Sequence, residues 1–324
     1  MLRLRDYRIN QDIRDKYAEV VLSGKDFIYP YFVVEGIDIQ QEIKSLAGVF
    51  HLSIDRILAD IKELIDLEIN KVLLFGVIDE EQKDSLGTLA YASDGLVCRT
   101  IKAIKQTYPQ VTVFTDVCMC GYMDHGHCGV VKGQEIHNDE TLPLLAQMAV
   151  AHAGAGADYV APSAMMDGQV GAIRQSLDFH GCKDTKILSY SVKYASNLYG
   201  PFRHAVQSTP SFGDRKTYQM DYRTRDQALA EAMADLEEGA DWLMVKPAHT
   251  YLDIIQLLRS SLPEIKLAAY HVSGEYMMIK LAAAAGMVDE TCSMLEVLYG
   301  IKRAGADYII SYYAKDAVRA LRES

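Results

Sequence analysis

Gly239-Ala240-Asp241-Trp242-Leu243-Met244-Val245-Lys246-Pro247 decides the fold. It follows a helical pattern, and a glycine is the residue that most readily ends a helix and turns the chain away. The run from Trp242 to Val245 is apolar on both faces, as a strand buried on both sides must be. The tripeptide Gly-Ala-Asp recurs at 156–158 and 305–307, again after a helical pattern and before a strand-like run. Recurrence at the same joint implies one βα unit repeated.

Working outward, short strand-like runs fall at 27–34, 71–77, 111–117, 158–162, 186–191, 241–246, 266–271 and 307–311, eight in all. Amphipathic segments separate most of them. Ser53 caps one ahead of Ile57, Leu58, Ile61, Leu64 and Ile65, which recur at helical spacing. Asn138-Asp139-Glu140 opens another ahead of Leu142, Leu145, Met148 and Ala149. Eight such units close a barrel, so the expected fold class is α/β, a TIM (β/α)8 barrel. An open doubly wound sheet fits the same alternation. No linker divides the chain. Residues 1–24 read as an N-terminal arm of the kind that packs on another subunit or frays, leaving 25–324 for the barrel.

The chain has 324 residues, 49% of them hydrophobic, with a formal net charge of -11. That field repels nucleic acid and anionic lipid, so neither is an expected partner. A carboxylate substrate would need its own local cations. No apolar run approaches the length of a membrane span. The start, Met1-Leu2-Arg3-Leu4-Arg5-Asp6, lacks the apolar core of a signal peptide, and the acids at Asp6, Asp12 and Asp15 argue against a transit peptide. The expected address is cytoplasmic. Three of the six cysteines lie between 118 and 128, which in a reducing compartment reads as metal binding rather than a disulfide framework.

On a barrel, reactive groups belong just after the strands, at their C-terminal ends. Asp116 and Cys118 follow the third run, Ser163 the fourth and Lys193 the fifth. Lys246 ends the sixth, Ser273 follows the seventh and Tyr312 the eighth. Extended backbone puts Cys118 and Cys120 on one side, and Gly121 and Gly126 let the loop return Cys128 to them. Three thiolates suit zinc. His125 or His127 would close a structural site as fourth ligand; without either, the site keeps an open, catalytic position. Three reduced cysteines without metal are the plain alternative. A lysine ending an apolar strand is desolvated and loses part of its charge preference, which makes Lys246 and Lys193 candidate nucleophiles toward a ketone. The long connection from Gly200 to Gln219 carries Arg203, Arg215 and Lys216 and reads either as an active-site lid or as a solvated loop.

These residues resemble a known family, porphobilinogen synthase, also called 5-aminolevulinate dehydratase. The resemblance runs from about Phe27 to Tyr313. It is carried by Asp116-Val117-Cys118-Met119-Cys120, His125-Gly126-His127-Cys128-Gly129 and Ala161-Pro162-Ser163-Ala164-Met165-Met166-Asp167-Gly168. Further matches are Tyr199-Gly200-Pro201-Phe202-Arg203, Met244-Val245-Lys246-Pro247-Ala248, His271-Val272-Ser273-Gly274-Glu275-Tyr276 and Ser311-Tyr312.

The resemblance implies a lyase of haem and tetrapyrrole biosynthesis that joins two 5-aminolevulinate molecules into porphobilinogen and two waters. It implies Schiff bases at Lys246 and Lys193, one substrate carboxylate on Arg203 and Arg215, and the other on Ser273 and Tyr312. It further implies zinc on Cys118, Cys120 and Cys128 with an open fourth place, a magnesium site at Glu231, and a homo-octamer of arm-clasped dimers. A class I aldolase shares the barrel and a Schiff-base lysine but needs neither a second lysine nor three cysteines. A zinc-storing scaffold with idle lysines is the non-enzymatic alternative.

Overall fold

The computed structural model describes residues 2–323. Eight parallel strands form its centre: β1 (Phe27–Val33), β2 (Lys71–Gly76), β3 (Thr112–Val117), β4 (Tyr159–Pro162), β5 (Lys186–Lys193), β6 (Trp242–Lys246), β7 (Lys266–His271) and β8 (Tyr308–Ser311). Each pairs in parallel with the next, and β8 pairs back onto β1, with Phe27 opposite Ile309. The sheet is therefore closed, a TIM barrel, and the open-sheet alternative is excluded. Helices separate the strands and cover the outside. On Ile54–Asp66, Ile57, Ile61 and Leu64 share the inner face and are fully buried. Each contributes about 1.5–3 kcal/mol of hydrophobic burial.

The repeated Gly-Ala-Asp joint has a physical basis in both its ends. Gly156, Gly239 and Gly305 have φ of 104°, 104° and 119°, a region that side chains with a Cβ avoid. The aspartates bind the neighbouring strand. Asp158 accepts the Val113 N–H at 2.7 Å, Asp241 that of Ile187 at 2.8 Å, and Asp307 that of Leu267 at 2.8 Å. Each aspartate N–H in turn donates to the carbonyl of the same residue. The carboxylates thus supply acceptors where the ladder begins. Just inside this end, Phe114 stacks on Tyr159 and Trp242 on Tyr308, closing the barrel floor with aromatic rings.

Strand limits differ from expectation in ways that matter for the site. β5 runs on to Lys193, so this lysine ends the strand instead of following it. β3 ends at Val117 as expected, so Asp116 lies within the strand and only Cys118 follows it. Ser53 precedes its helix, but its hydroxyl donates to Asp55 and accepts from Ile39 and makes no cap bond. Asn138 is the first residue of its helix, Asn138–Gly154, and its side chain instead holds the backbone of Asp167. Among the described residues of the segment before β1, a 3-10 turn (Leu4–Tyr7) and a short helix (Gln11–Lys16) stand clear of the barrel. Leu2, Leu4, Ile9 and Val21 are all exposed there. No helix among the described residues is long and apolar enough to cross a membrane.

Candidate active site

The C-terminal ends of β3 to β8 converge on two lysines. Lys193 and Lys246 are direct partners in the β5–β6 ladder. They become so through an irregularity: Leu243 faces Ser189, but Val245 faces Val192, so β5 carries one residue more than β6 across that stretch. An unbroken register would oppose Lys246 to Val192. The extra residue instead brings the second amine alongside the first, and such bulges re-aim side chains at functional sites.

Both lysines are 5% exposed. Lys246 Nζ is enclosed by the rings of Tyr270 at 4.2 Å, Tyr190 at 4.9 Å, Phe202 at 5.0 Å and Tyr199 at 5.4 Å. Burial, and then the neighbouring Lys193 charge, push the Lys246 ammonium down to about 7, against an opposing pull from Asp116. Ring faces favour the ammonium, yet desolvation and the second cation outweigh them. A substantial share of Lys246 is therefore the free amine near neutrality. Lys193 Nζ donates to the Ser163 carbonyl at 2.5 Å. Asp116 lies beside Ser163, and burial raises its carboxyl to about 6.

Cys118, Cys120 and Cys128 are buried, and their sulfurs lie within 4.8 Å of one another. Thiolates about 2.3 Å from one tetrahedral ion stand about 3.8 Å apart, so the donor set fits a soft metal with little movement. Hydrogen bonds from Cys118 and Cys120 hold the Cys128 thiol well below its ordinary value, while bonds to Cys120 and Cys128 hold Cys118 well above, so the thiolate character rests on Cys128. Neither histidine joins it. His127 uses one ring nitrogen on the Phe212 carbonyl at 3.0 Å and the other on the Tyr218 hydroxyl at 3.1 Å. His125 Nδ1 accepts the His127 N–H, and among the described residues only the three cysteines form a ligand group. No histidine, further cysteine or carboxylate among the described residues joins the three sulfurs as a fourth ligand.

The segment from Gly200 to Gln219 leans over this mouth. Arg215 is buried and donates to the carbonyls of Gly126 and Ser208 at 2.9 and 2.7 Å. Burial opposes its charge, but the Cys128 and Cys120 sulfurs more than offset that. Arg203 lines the same cleft of about 500 Å³, and the Nε atoms of both arginines are buried without a partner among the described residues. Gln219, given no role from sequence, joins them with both amide atoms unpartnered. Nothing in its sequence neighbourhood marks it apart from the arginine four residues earlier. Across the mouth, the Ser273 hydroxyl accepts from the Phe202 N–H at 3.0 Å and donates to the Leu198 carbonyl, while Tyr312 pairs with the Tyr270 hydroxyl at 3.2 Å. Glu231 is elsewhere. It lies on the helix Gln227–Glu237, half-buried, and burial followed by Asp235, Asp167 and Glu238 raises its carboxyl.

The family model for delta-aminolevulinic acid dehydratase matches residues 1–320. The delta-aminolevulinic acid dehydratases of Halalkalibacterium halodurans and Bacillus subtilis are each 50% identical over 321 residues, 99% of this chain and 97% and 98% of theirs. A crystal structure of the Toxoplasma gondii ME49 delta-aminolevulinic acid dehydratase (porphobilinogen synthase), in complex with its reaction product porphobilinogen, superimposes with a TM-score of 0.96 at 43% identity. It covers 98% of this chain and 91% of that one. With the sequence match spanning nearly the whole chain and the barrel superimposing so closely, this chain belongs to the delta-aminolevulinic acid dehydratase family of lyases.

Proposed function

We propose that this chain condenses two molecules of 5-aminolevulinate into porphobilinogen and two waters through Schiff bases at Lys246 and Lys193. The observation that carries this reading is the pairing of two buried amines in one ladder register beside a three-thiol cluster. A Schiff-base aldolase has use for one such lysine and for none of the sulfurs.

Lys246, depressed to about 7, attacks the ketone of one substrate as the free amine. The iminium is a better electron sink than the ketone and eases formation of a nucleophilic carbon next to it. Arg203 and Arg215, with Gln219, grip one carboxylate, and their unpartnered nitrogens support that role. Ser273 and Tyr312 take the other carboxylate by exchanging their resting bonds to Leu198 and Tyr270. Tyr190, Tyr199, Phe202 and Tyr270 keep water from the imine. Zinc on Cys118, Cys120 and Cys128 would supply a Lewis acid to the substrate amine or hydroxyl.

We further propose magnesium at Glu231, where a divalent ion would relieve the repulsion from Asp235, Asp167 and Glu238. We divide the chain into an arm of residues 1–24 and a catalytic barrel of 25–324. The exposed Leu2, Leu4, Ile9 and Val21 support an arm that clasps a second copy, within a homo-octamer. All six cysteines are free, and thiols persist in a reducing compartment, which supports a cytoplasmic address.

Borohydride reduction in the presence of 5-aminolevulinate tests the central claim. It should fix an adduct on Lys246, and pyrrole should accumulate without reductant. An adduct formed only with aldehyde substrates would favour the aldolase, and no adduct at all would favour an idle scaffold.

A further inference from the structure

Tyr190 holds a polar atom that no described residue uses. The residue is fully buried, and its hydroxyl has no hydrogen-bond partner among the described residues. Its ring lies 4.9 Å from Lys246 Nζ and 5.6 Å from Lys193 Nζ, so it spans the two amines. Ser189 and Ser191 point outward to Asp235, which by strand alternation turns Tyr190 into the barrel. Burial, and then the Asp116 charge, raise the phenol well above its ordinary value. It therefore stays protonated and serves as a donor. A buried donor with no acceptor destabilises a fold, and native structures leave few. Phenylalanine would fill the same space without that cost. The position is thus better suited to a ligand than to the empty protein.

We infer that the Tyr190 hydroxyl donates a hydrogen bond to the ketone oxygen of the substrate attacked by Lys246. This rests on the Schiff-base reading above. As the lysine lone pair forms the C–N bond, the carbonyl π pair moves onto that oxygen. A proton passes from the nitrogen to the oxygen, giving the carbinolamine. The nitrogen lone pair then forms C=N as the C–O bond breaks, and a solvent proton completes the departing water. Tyr190 enters and leaves this sequence protonated, stabilising the oxygen where negative charge develops.

The test compares Tyr190→Phe with the wild-type full chain by thermal melting, by the rate of borohydride-trapped adduct on Lys246 with 5-aminolevulinate, and by steady-state kinetics. The variant should melt at the same temperature or higher. Adduct formation and kcat should both fall by about tenfold or more, the scale of losing one positioned donor, with a smaller change in KM. A trapping rate and kcat matching wild type would remove Tyr190 from the reaction. A lower melting temperature would show the hydroxyl bonded in the resting protein and overturn the premise. Absence of any wild-type adduct would overturn the Schiff-base reading and this inference with it. A wild-type adduct with an unslowed variant would overturn this inference alone.

Discussion

At the N-terminal ends of the strands, Asp158, Asp241 and Asp307 each satisfy a neighbouring strand N–H, and stacked rings close the floor behind them. At the C-terminal ends, Tyr190, Gln219 and the Nε atoms of Arg203 and Arg215 are buried without partners. Three aspartates thus meet strand N–H groups at one end, while buried polar atoms lack partners among the described residues at the other. Unmet polar groups cost stability, and their concentration at the lysine end is what a site awaiting polar ligands requires. Conversely, a change at the floor should weaken the fold and spare the chemistry.

Lys246→Ala carries the largest expected effect on this contrast. Loss of the amine should lower pyrrole formation by at least about 10³-fold, the scale of losing a nucleophile, while the melting temperature holds or rises. Retained turnover would take Lys246 out of the mechanism. Cys118→Ala should follow, with bound zinc falling to background in a metal assay and kcat dropping by about 10² or more. Unchanged metal content and rate would dismiss the zinc assignment.

A pH profile sharpens the same end. In the proposed mechanism Lys246 attacks as the free amine, and with its ammonium depressed to about 7, kcat/KM should fall about tenfold per unit of pH below that value and level off above it. The stability sign follows from the same shift. Between about 7 and its ordinary value of 10.5 the unfolded lysine binds a proton that the folded one does not, so this group destabilises the fold less as pH rises across that window. A flat acid limb in the rate would break the link between burial and reactivity.

Asp241→Ala probes the floor. It strands the buried Ile187 N–H, which should cost about 1–3 kcal/mol in denaturant unfolding. KM and kcat should match wild type; a large kinetic loss would blur the division between the two ends. The smallest effect is expected from Glu231→Ala, which should remove any stimulation by magnesium and leave the rate without magnesium unchanged. Persisting stimulation would move that ion elsewhere.

Much of this was readable from local sequence because it depends on short-range pattern. The Gly-Ala-Asp joints at Gly156, Gly239 and Gly305 announced the repeat, since only a residue tolerant of positive φ ends these helices so abruptly. Cys118, Cys120 and Cys128 sit close enough in the chain for loop geometry alone to gather them. Other features were not readable. The carboxylates of Asp158, Asp241 and Asp307 bond strands far away in sequence, and no spacing rule reports such partners. His127 looked available as a metal ligand until its nitrogens were found on Phe212 and Tyr218.

By itself the sequence determined eight buried strands, their alternation with helices, and a lysine at the end of the sixth, because burial and turn preferences act over a few residues. Only the tertiary structure decided that Lys193 stands opposite Lys246. One extra residue in β5 shifts the register between two strands separated by a long connection, and register belongs to the pairing of strands, not to either strand alone.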